Sequence, residues 1–502
     1  MRTKKAITNS IISILMCSIN IITGFVFQKI FILTLGSEYL GLNGLFVNIL
    51  SILSVIELGF GNAIIYHLYK PLAEKNKKEI SSLVKFYKKT YNIIAVIIFL
   101  LGITAMIFLK NIVGETHIEE NLYVLYFLVL LDVVVSYLLT YKRSILYANQ
   151  ETYIINIVHI GYIVTLNLTG IILLLLLKSY TLYLLLKIIF RALENIIITG
   201  IVNKKYSFLL TEETEVLAEE VKKDIYEKVK GLLFHKIGGS IIYGTDNIII
   251  SKMFGVITVG LYSNYYLIIS SIQSLLYQIF SSITSSVGNL LLDNDEYKSY
   301  KTYMNMLFIN SWLFGFCGIC ILCLTEPFIK IWIGSDYILP FFVLIILVIN
   351  FYVQGMRRTS NTFKEAAGIF YEDRFVPLIE SVVNLIASIV FAKILGLGGI
   401  FLGTIISSLI LFLYSYPVLV FNKLFNKSYL EYIKIHLNFF LITILVACVS
   451  YYAVSLISIE DKIFELLMKI IGCCIVPNFL FIIIFFKTDE FNYFKSFLKA
   501  LF

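Results

Sequence analysis

The sequence predicts an all-α integral membrane protein with about fourteen transmembrane helices. Of its 502 residues, 59% are hydrophobic and 15% are charged, and the mean hydropathy is +0.87. Soluble domains are about 45 to 50% apolar and about 25% charged. Since each crossing needs about 20 apolar residues, the helices leave no room for a soluble catalytic domain of about 100 residues. The composition therefore excludes most classes of soluble enzyme.

Apolar runs separated by polar breaks define the fourteen predicted spans. They cover residues 8–34, 41–67, 91–109, 122–141, 154–177, 181–202, 231–251, 261–288, 304–324, 338–356, 375–392, 400–421, 435–457 and 463–486. The basic residues before the first run resemble the start of a signal peptide. We interpret this run as a span, because it is too long for a signal peptide and no A-x-A site follows it.

Positive charge predicts the orientation of these spans. If the amino terminus is cytoplasmic, 30 of the 41 Lys and Arg residues lie in inner segments, six lie in outer loops and five lie inside spans. Lys and Arg resist translocation, so this bias places both chain ends in the cytoplasm. The net charge of +8 is spread between apolar runs rather than along one face, so we expect no nucleic-acid partner.

The longest inner segment, residues 203–230, carries a periodic apolar pattern. Leu217, Val221, Ile225 and Val229 recur at four-residue spacing among Glu and Lys residues. This spacing predicts an amphipathic helix on the inner membrane surface. A solvated connector is the alternative.

Three matched pairs of segments predict an internal duplication. The pairs are Gly36-x4-Gly41-Leu42 with Gly255-x4-Gly260-Leu261, KNIVG at 110–114 with KIWIG at 330–334, and NK at 203–204 with NK at 422–423. In all three pairs the two members are separated by nearly the same length of chain, which is typical of a repeat.

The duplication predicts an N-lobe at 1–202 and a C-lobe at 231–421, joined by the linker at 203–230. Residues 422–502 then hold spans thirteen and fourteen and a cytoplasmic tail. Six spans per lobe give the two lobes the same orientation in the membrane. Parallel repeats of this kind predict alternating access to a site near the midplane.

Three sequence stretches resemble one transporter family. They are LGSEYLGLNGLFVNILSILSVIELGFGNAI at 35–64, EPFIKIWIGSDY at 326–337 and LGLGGIFLGT at 395–404. They resemble Wzx-type polysaccharide flippases of the multidrug, oligosaccharidyl-lipid and polysaccharide (MOP) exporter superfamily. The two additional C-terminal spans resemble those of MurJ lipid II flippases, where such spans border a groove for the lipid tail.

The resemblance implies a function in the bacterial cytoplasmic membrane. The expected cargo is a polyprenyl-diphosphate-linked oligosaccharide, moved from the inner to the outer leaflet for capsule, exopolysaccharide or cell-wall polysaccharide synthesis. Glycosyltransferases and a polysaccharide polymerase are the expected protein partners, beside membrane lipids. The alternatives are a cation-coupled drug antiporter of the same superfamily, a lipid II flippase, and a membrane polysaccharide polymerase or sugar transferase. The last two activities would need a larger outer loop than this sequence offers, so we expect a transporter rather than an enzyme.

Four cations inside spans are candidates for the diphosphate. Arg191 lies about ten residues from both ends of span six, too deep for easy snorkelling, and Lys187 lies one turn away. The alternative is that Arg191 pairs with Glu194 while Lys187 snorkels. Lys29 and Lys236 lie about six residues from their span ends, where snorkelling is the ordinary explanation.

Three acids inside spans are candidates for coupling to a proton or sodium gradient. Asp132 begins a polar stripe on span four, and its alternative role is an ion pair with Arg191. Glu57 and Asp246 are weaker candidates for the same role. Asn20 on span one and Gln28 further along the same face can line a sugar-filled cavity or simply allow close packing.

Other chemical motifs predict no cofactor. Cys317, Cys320 and Cys323 imitate part of an iron–sulfur spacing, but the run lies in an apolar span without a fourth ligand in the sequence nearby, so we expect packing. The five histidines show no zinc spacing, and no G-x4-G-K-[ST] motif occurs. We therefore expect no metal site and no ATP-driven pump.

Overall fold

A computed structural model describes residues 2–57, 60–212, 217–293, 295–369 and 372–501. Every regular element in these ranges is a helix, and no strand occurs there, as the predicted all-α class requires. The chain divides into two compact units, unit 1 (Met1–Ser263) and unit 2 (Asn264–Phe502). The division falls inside a helix, beyond the predicted linker at 203–230, and the predicted lobe limits stay a prediction.

Unit 1 contains eleven helices and the start of a twelfth. They are α1 (Arg2–Leu35), α2 (Ser37–Leu53), α3 (Phe60–Glu74), α4 (Lys77–Met106), α5 (Leu109–Val113), α6 (Leu122–Tyr137), α7 (Arg143–Ala148), α8 (Thr152–Leu177), α9 (Tyr180–Lys205), α10 (Phe208–Thr211), α11 (Glu219–Phe254) and α12 (Val256–Leu292). Side-chain caps begin several of them: Asn121 accepts from the amides of Tyr123 and Val124 at the start of α6, and Ser179 accepts from Leu182 at the start of α9.

Unit 2 contains the rest of α12 and eight further helices. They are α13 (Glu296–Trp332), α14 (Phe341–Ala366), α15 (Val376–Leu395), α16 (Leu397–Ile410), α17 (Lys423–Phe425), α18 (Tyr429–Ser455), α19 (Lys462–Phe485) and α20 (Asp489–Leu501). A π-helical segment, Leu411–Asn422, joins α16 to α17. Pro417 lies inside it, and a proline removes an amide donor from a helix.

Eleven described helical segments are long and apolar enough to cross a membrane. The three other predicted spans fall on α2 and α3, on α9, and on α11. Charged residues interrupt the apolar run of α9, among them Lys187, Arg191 and Glu194. The predicted total of fourteen spans therefore stays a prediction.

The second predicted span is not one continuous helix. Helix α2 ends at Leu53, a 3₁₀ turn covers Ser54–Glu57, and α3 begins at Phe60. The stretch ELGFGNAI, which begins at the end of the turn, is rich in glycine, which costs about 0.5–1 kcal/mol relative to alanine inside a helix. The sequence prediction of one span over 41–67 missed this break, because an apolar run does not show where a helix is interrupted.

The predicted helix of the linker is part of a longer helix. Helix α11 runs through 36 residues, so the linker pattern from Val221 onward and the seventh predicted span belong to one helix. Ile225 and Val229 are buried, and the ring of Tyr226 lies 6.0 Å from that of Phe60 on α3. Ile225 and Val229 therefore pack against protein, and the placement of the linker on the inner membrane surface stays a prediction.

The two glycine motifs of the predicted repeat meet at one helix crossing in unit 1. A Cβ on Gly41 of α2 would lie 2.0 Å from the carbonyl oxygen of Val256, and a Cβ on Gly260 of α12 would lie 2.0 Å from that of Ser37. The two motifs also begin alike, with φ of 89° at Gly36 and 85° at Gly255. The contact is thus reciprocal, although the duplication itself stays a prediction.

Candidate anion-binding site

Four helices of unit 1 bring together a cluster of ionisable side chains, which we call the Arg191 cluster. Its members are Asp132 on α6, Arg143 on α7, His159 on α8, and Lys187, Arg191 and Glu194 on α9. Lys187, Arg191 and Glu194 share one face of α9 because residues three and four apart are neighbours on a helix. The sequence placed Arg191, Lys187 and Asp132 in this lobe, and the structure brings them into contact.

Asp132 accepts from the two cations that α9 contributes to the cluster. Its Oδ2 lies 3.0 Å from Nζ of Lys187, and its Oδ1 lies 3.5 Å from Nε of Arg191. The Asp132 side chain is 8% exposed, whereas Lys187 and Arg191 remain 19% and 20% exposed. Lys187 therefore forms an ion pair, where snorkelling was the alternative expectation.

Glu194 is the most buried member of the cluster, with a side-chain exposure of 0%. Its Oε2 lies 3.1 Å from Nη1 of Arg191, and its Oε1 lies 3.3 Å from Nη2 of Arg143 and 3.0 Å from Nδ1 of His159. The two ion pairs that the sequence analysis gave as alternatives, Arg191 with Glu194 and Arg191 with Asp132, are both present. A carboxylate this buried needs such partners, because leaving it unpaired costs several kcal/mol.

An aromatic ring and an amide hold the cluster in place. The Arg191 guanidinium lies 4.4 Å from the ring centroid of Tyr162, a cation–π distance. Asn195 donates through Nδ2 to the carbonyls of Val135 and Leu138 at 2.8 Å each, where α6 ends. Its Oδ1 accepts from Nη2 of Arg143 at 2.8 Å.

The Arg191 cluster carries more positive than negative charge. Three cations, Lys187, Arg191 and Arg143, face two carboxylates, Asp132 and Glu194, before any charge on His159 is counted. Nε of Arg143 is buried and has no hydrogen-bond partner among the described residues. These three cations are 16 to 20% exposed, so their excess charge is partly removed from water and a visiting anion would stabilise the cluster.

The other predicted cargo residues lie outside this network. Lys29 is half-buried on α1, Asn20 is exposed, and Gln28 donates weakly to the carbonyl of Ser263 at 3.5 Å. In the described part of the chain, no hydrogen bond or ion pair joins Lys29 or Asn20 to the Arg191 cluster. The side chain of Lys236 lies outside the described residues.

The three predicted coupling acids have different surroundings. Asp132 is held by two cations, and Glu57, in the turn after α2, accepts a hydrogen bond from Tyr91. Asp246 on α11 is 8% exposed, and its Oδ1 has no hydrogen-bond partner among the described residues. Of these three acids, Asp246 is therefore the one with a buried carboxylate oxygen that accepts no hydrogen bond from the described residues.

Two arginines in unit 2 escaped the sequence prediction. Arg357 donates to Glu380 at 2.7 Å, and the guanidinium of Arg358 lies 5.2 Å from the ring centroid of Tyr277. Both were counted as loop residues because the predicted span ended at 356, whereas α14 continues to Ala366. Glu380, a lone acid inside an apolar run, was the signal that could have revealed a buried basic partner.

Comparison with known proteins identifies the fold. The sequence matches no family model and no curated protein. A lipid II flippase MurJ structure in an inward closed conformation matches with a TM-score of 0.65 and 17% identity, over 95% of this chain and 99% of that chain. An inward-facing multidrug resistance MATE family transporter of the MOP superfamily matches with a TM-score of 0.61 and 12% identity, over 80% and 95%.

An outward-facing MATE family transporter of the same superfamily also matches, with a TM-score of 0.52 and 14% identity, over 81% of this chain and 92% of that chain. The chain has the fold of MOP-superfamily transporters. The likeness shows the fold, and it agrees with the all-α architecture that the sequence predicted. Together with the eleven apolar helices, the MOP fold marks a multi-pass membrane protein.

Proposed function

We propose that the chain is a flippase that moves a polyprenyl-diphosphate-linked oligosaccharide from the inner to the outer leaflet by alternating access. The observation that carries this proposal is the excess of positive charge on the half-buried cations of the Arg191 cluster. A diphosphate is a compact, doubly charged anion, and arginine binds phosphate oxygens with paired hydrogen bonds. Lys187 and Arg191 keep about a fifth of their side-chain surface exposed, which leaves them open to such a ligand.

The extent of the structural matches supports a lipid-linked cargo. The match to the lipid II flippase covers 95% of this chain, against 80% for the inward-facing drug transporter. The additional share is close to the length of the segment from α18 to α20, residues 429–501. Two further apolar helices at the end of a transporter suit a cargo whose tail stays in lipid.

Alternating access is supported by the conformations of the matched transporters. MATE family transporters of this fold are described in inward-facing and outward-facing conformations. In this mechanism the headgroup crosses in contact with protein cations while the polyprenyl tail remains in the bilayer. We expect glycosyltransferases and a polysaccharide polymerase to act before and after this step.

Substitution of Arg191 tests the cargo. We expect Arg191→Ala to insert normally and to lower the flipping of a polyprenyl-diphosphate oligosaccharide in proteoliposomes by about tenfold or more. A charge-assisted hydrogen bond contributes about 1.5–3 kcal/mol, and about 1.4 kcal/mol corresponds to tenfold in rate. Surface polysaccharide should fall in cells that depend on this chain. Lys301→Ala, an exposed cation on α13, is the matched control.

An exchange of charges separates binding from structural pairing. Asp132→Arg combined with Arg191→Asp keeps one negative and one positive charge at the pair. We expect the double variant to recover the thermal stability that either single variant loses, and to remain inactive in transport. Recovery of both stability and transport would show that the pair is only structural.

Asp246 is our proposed coupling site for a proton or a sodium ion. A carboxylate buried in a span without a partner for one oxygen is costly unless a cation or a proton occupies it. We expect Asp246→Asn to abolish the dependence of flipping on the imposed ion gradient. Flipping that still responds fully to both gradients would remove Asp246 from this role.

A lipid II flippase is the second candidate, favoured by the TM-score of 0.65 to MurJ. The same proteoliposomes loaded with lipid II decide between the two cargoes. A drug antiporter would instead lower the accumulation of a cationic dye in cells. Dye efflux without flipping of either lipid would contradict our proposal.

A further inference from the structure

One lysine of unit 1 is buried with only a neutral hydrogen-bond partner among the described residues. Lys142 closes the 3₁₀ turn Thr140–Lys142 after α6 and is 5% exposed. Its Nζ donates to Oδ1 of Asn203 on α9 at 2.8 Å, and it forms no ion pair with a described carboxylate. An ammonium group has three donors. A buried cation held by one neutral amide is costly unless an anion lies close to it.

A second lysine lies near the same aromatic ring as Lys142. Nζ of Lys142 lies 5.7 Å from the ring centroid of Tyr141, and Nζ of Lys88 on α4 lies 5.9 Å from the same centroid. Both are cation–π distances. The Tyr141 ring is buried, whereas Lys88 is exposed, and no described carboxylate pairs with Lys88. Two positive charges therefore meet at one ring, where an anion would relieve their repulsion.

The surroundings of the turn add a hydroxyl group to these cations. The turn packs against both α4 and α9. Thr199 precedes Asn203 by four residues, so the two side chains share one face of α9. Oγ1 of Thr199 is buried and has no hydrogen-bond partner within the described ranges. Ammonium and hydroxyl donors of this kind suit the oxygens of a phosphate group.

Apolar side chains continue from this site along the helices. Val96 follows Lys88 by eight residues on the same face of α4, and Ile196 precedes Asn203 by seven residues on the same face of α9. Both are 57% exposed, and Leu138, just before the turn, is 42% exposed. Exposed apolar faces on membrane helices are surfaces for acyl chains. The site thus joins a cationic end to apolar faces, which is the pattern of an amphiphile.

We propose that Lys88 and Lys142, with Tyr141 between them in sequence contact, bind the headgroup phosphate of an anionic phospholipid. Its acyl chains follow the exposed apolar faces of α4 and α9. One phosphodiester supplies the negative charge that no described carboxylate gives to these two lysines. A zwitterionic lipid fits less well, because its own ammonium group offsets the charge of its phosphate.

The depth of the site agrees with a lipid of the inner leaflet. Lys88, Lys142 and Asn203 each lie within three residues of a span end that the sequence predicts to be cytoplasmic. Basic pockets between helices on this side of a membrane bind lipid headgroups. The site uses no residue of the Arg191 cluster, so it does not depend on the proposed cargo.

Native mass spectrometry of the full-length protein with phosphatidylglycerol tests the site. We expect Lys142→Met to weaken binding of the first phosphatidylglycerol about tenfold, because a charge-assisted hydrogen bond is lost. Lys88→Met should weaken it several-fold, since Lys88 is more exposed. Binding of phosphatidylcholine should stay the same in both variants. The matched control is Lys301→Met, an exposed cation on α13, which should bind phosphatidylglycerol as the wild type does.

Replacement of Asn203 separates lipid binding from a purely structural role. Asn203→Leu removes the amide that holds Lys142 but keeps both cations, so it should lower the melting temperature and retain most phosphatidylglycerol binding. If Lys142 only ties the turn to α9, Lys142→Met will also lower the melting temperature but leave lipid binding unchanged, which would overturn the proposal. If Lys142→Met does not fold, unchanged binding in Lys88→Met overturns it instead.

Lysine labelling in nanodiscs distinguishes a lipid from a free anion. We expect Lys88 to react with an amine reagent several-fold more slowly in phosphatidylglycerol than in phosphatidylcholine, relative to its exposed neighbour Lys89. Excess inorganic phosphate in phosphatidylcholine nanodiscs should not protect Lys88, because the acyl chains contribute to binding. Equal protection by inorganic phosphate would show a site for a free anion, and no protection by phosphatidylglycerol would contradict the site itself.

Discussion

Gly41 and Gly260 permit a helix crossing that no larger residue allows. A Cβ added to either glycine would fall 2.0 Å from a backbone oxygen, and backbone cannot move aside as a flexible side chain can. Both glycines lie in the first matched pair of the predicted repeat. Their role is therefore close approach of α2 and α12, which is a frequent use of small residues between membrane helices.

Adding one methyl group at this crossing should destabilise the protein. We expect Gly41→Ala and Gly260→Ala each to lower the free energy of unfolding by about 1–3 kcal/mol or more, through overpacking. Thermal unfolding in detergent micelles measures the effect. The matched control is Gly200→Ala on α9, where nothing lies within 4 Å of the added Cβ. Equal melting temperatures for all four proteins would show that the crossing has room.

The Arg191 cluster shows a different constraint at the residue scale. Its two carboxylates contact four basic side chains. Three of these are permanent cations, so positive charge exceeds negative charge. Breaking such a buried pair costs about 3–5 kcal/mol, although the pair itself contributes little net stability. The cluster is thus better suited to binding and to fixing geometry than to stabilising the fold.

At the scale of elements, one carboxylate joins three segments of unit 1. Oε1 of Glu151 lies 2.9 Å from Nζ of Lys5 on α1, and Oε2 lies 2.8 Å from Nζ of Lys205 on α9. Tyr206 also donates to Oε2 at 2.8 Å. Burial of Glu151 raises its pKa, but the hydrogen bonds and charges of Lys205, Lys5 and Tyr206 outweigh burial and hold the pKa below the usual value of 4.5.

Removal of this charge should loosen the ends of α1 and α9. We expect Glu151→Gln to lower the free energy of unfolding by about 1–3 kcal/mol. Since the folded pKa is lowered, this contribution is complete above about pH 4.5 and is lost as the pH falls through the folded pKa. The difference in melting temperature between the wild type and the variant should stay constant from pH 7 to pH 5 and shrink below about pH 4.5.

The control for this experiment is Glu220→Gln, an exposed residue of α11. Its melting temperature should match that of the wild type at each pH. A wild-type advantage over Glu151→Gln that already declines between pH 7 and pH 6 would show that Glu151 is not the titrating group.

At the scale of the whole molecule, the distribution of Lys and Arg predicts that both chain ends are cytoplasmic. We expect green fluorescent protein fused after residue 502 to fluoresce, and alkaline phosphatase inserted in the loop at 457–461 to be active, because the phosphatase folds only outside the cytoplasm. The same phosphatase inserted at 206–207, in the predicted cytoplasmic linker, should be inactive. An active phosphatase at residue 502 would require an odd number of spans.

The sequence revealed some members of the candidate site and not others. Membrane helices are apolar along their length, so a charged residue stands out in the sequence, but the helix that it faces does not. Arg191, Lys187 and Asp132 could be singled out because each interrupts an apolar run, where an ionisable residue is costly. Arg143 and His159 could not be assigned to Glu194, because nothing in the sequence says which helices are neighbours. Arg357 was missed for a further reason, since a charged residue at the end of an apolar run reads as a loop.

Composition indicated the class of this protein, and the order of apolar and charged residues along the sequence predicted its sidedness and its intramembrane charges, because these depend on local transfer free energies. The tertiary structure decided which charges meet and that the second predicted span is divided between α2 and α3. In a helix that is apolar on every face, periodicity does not distinguish the face that packs on protein from the face that meets lipid. Partner choice is then set by close packing and by the pairing of buried polar groups.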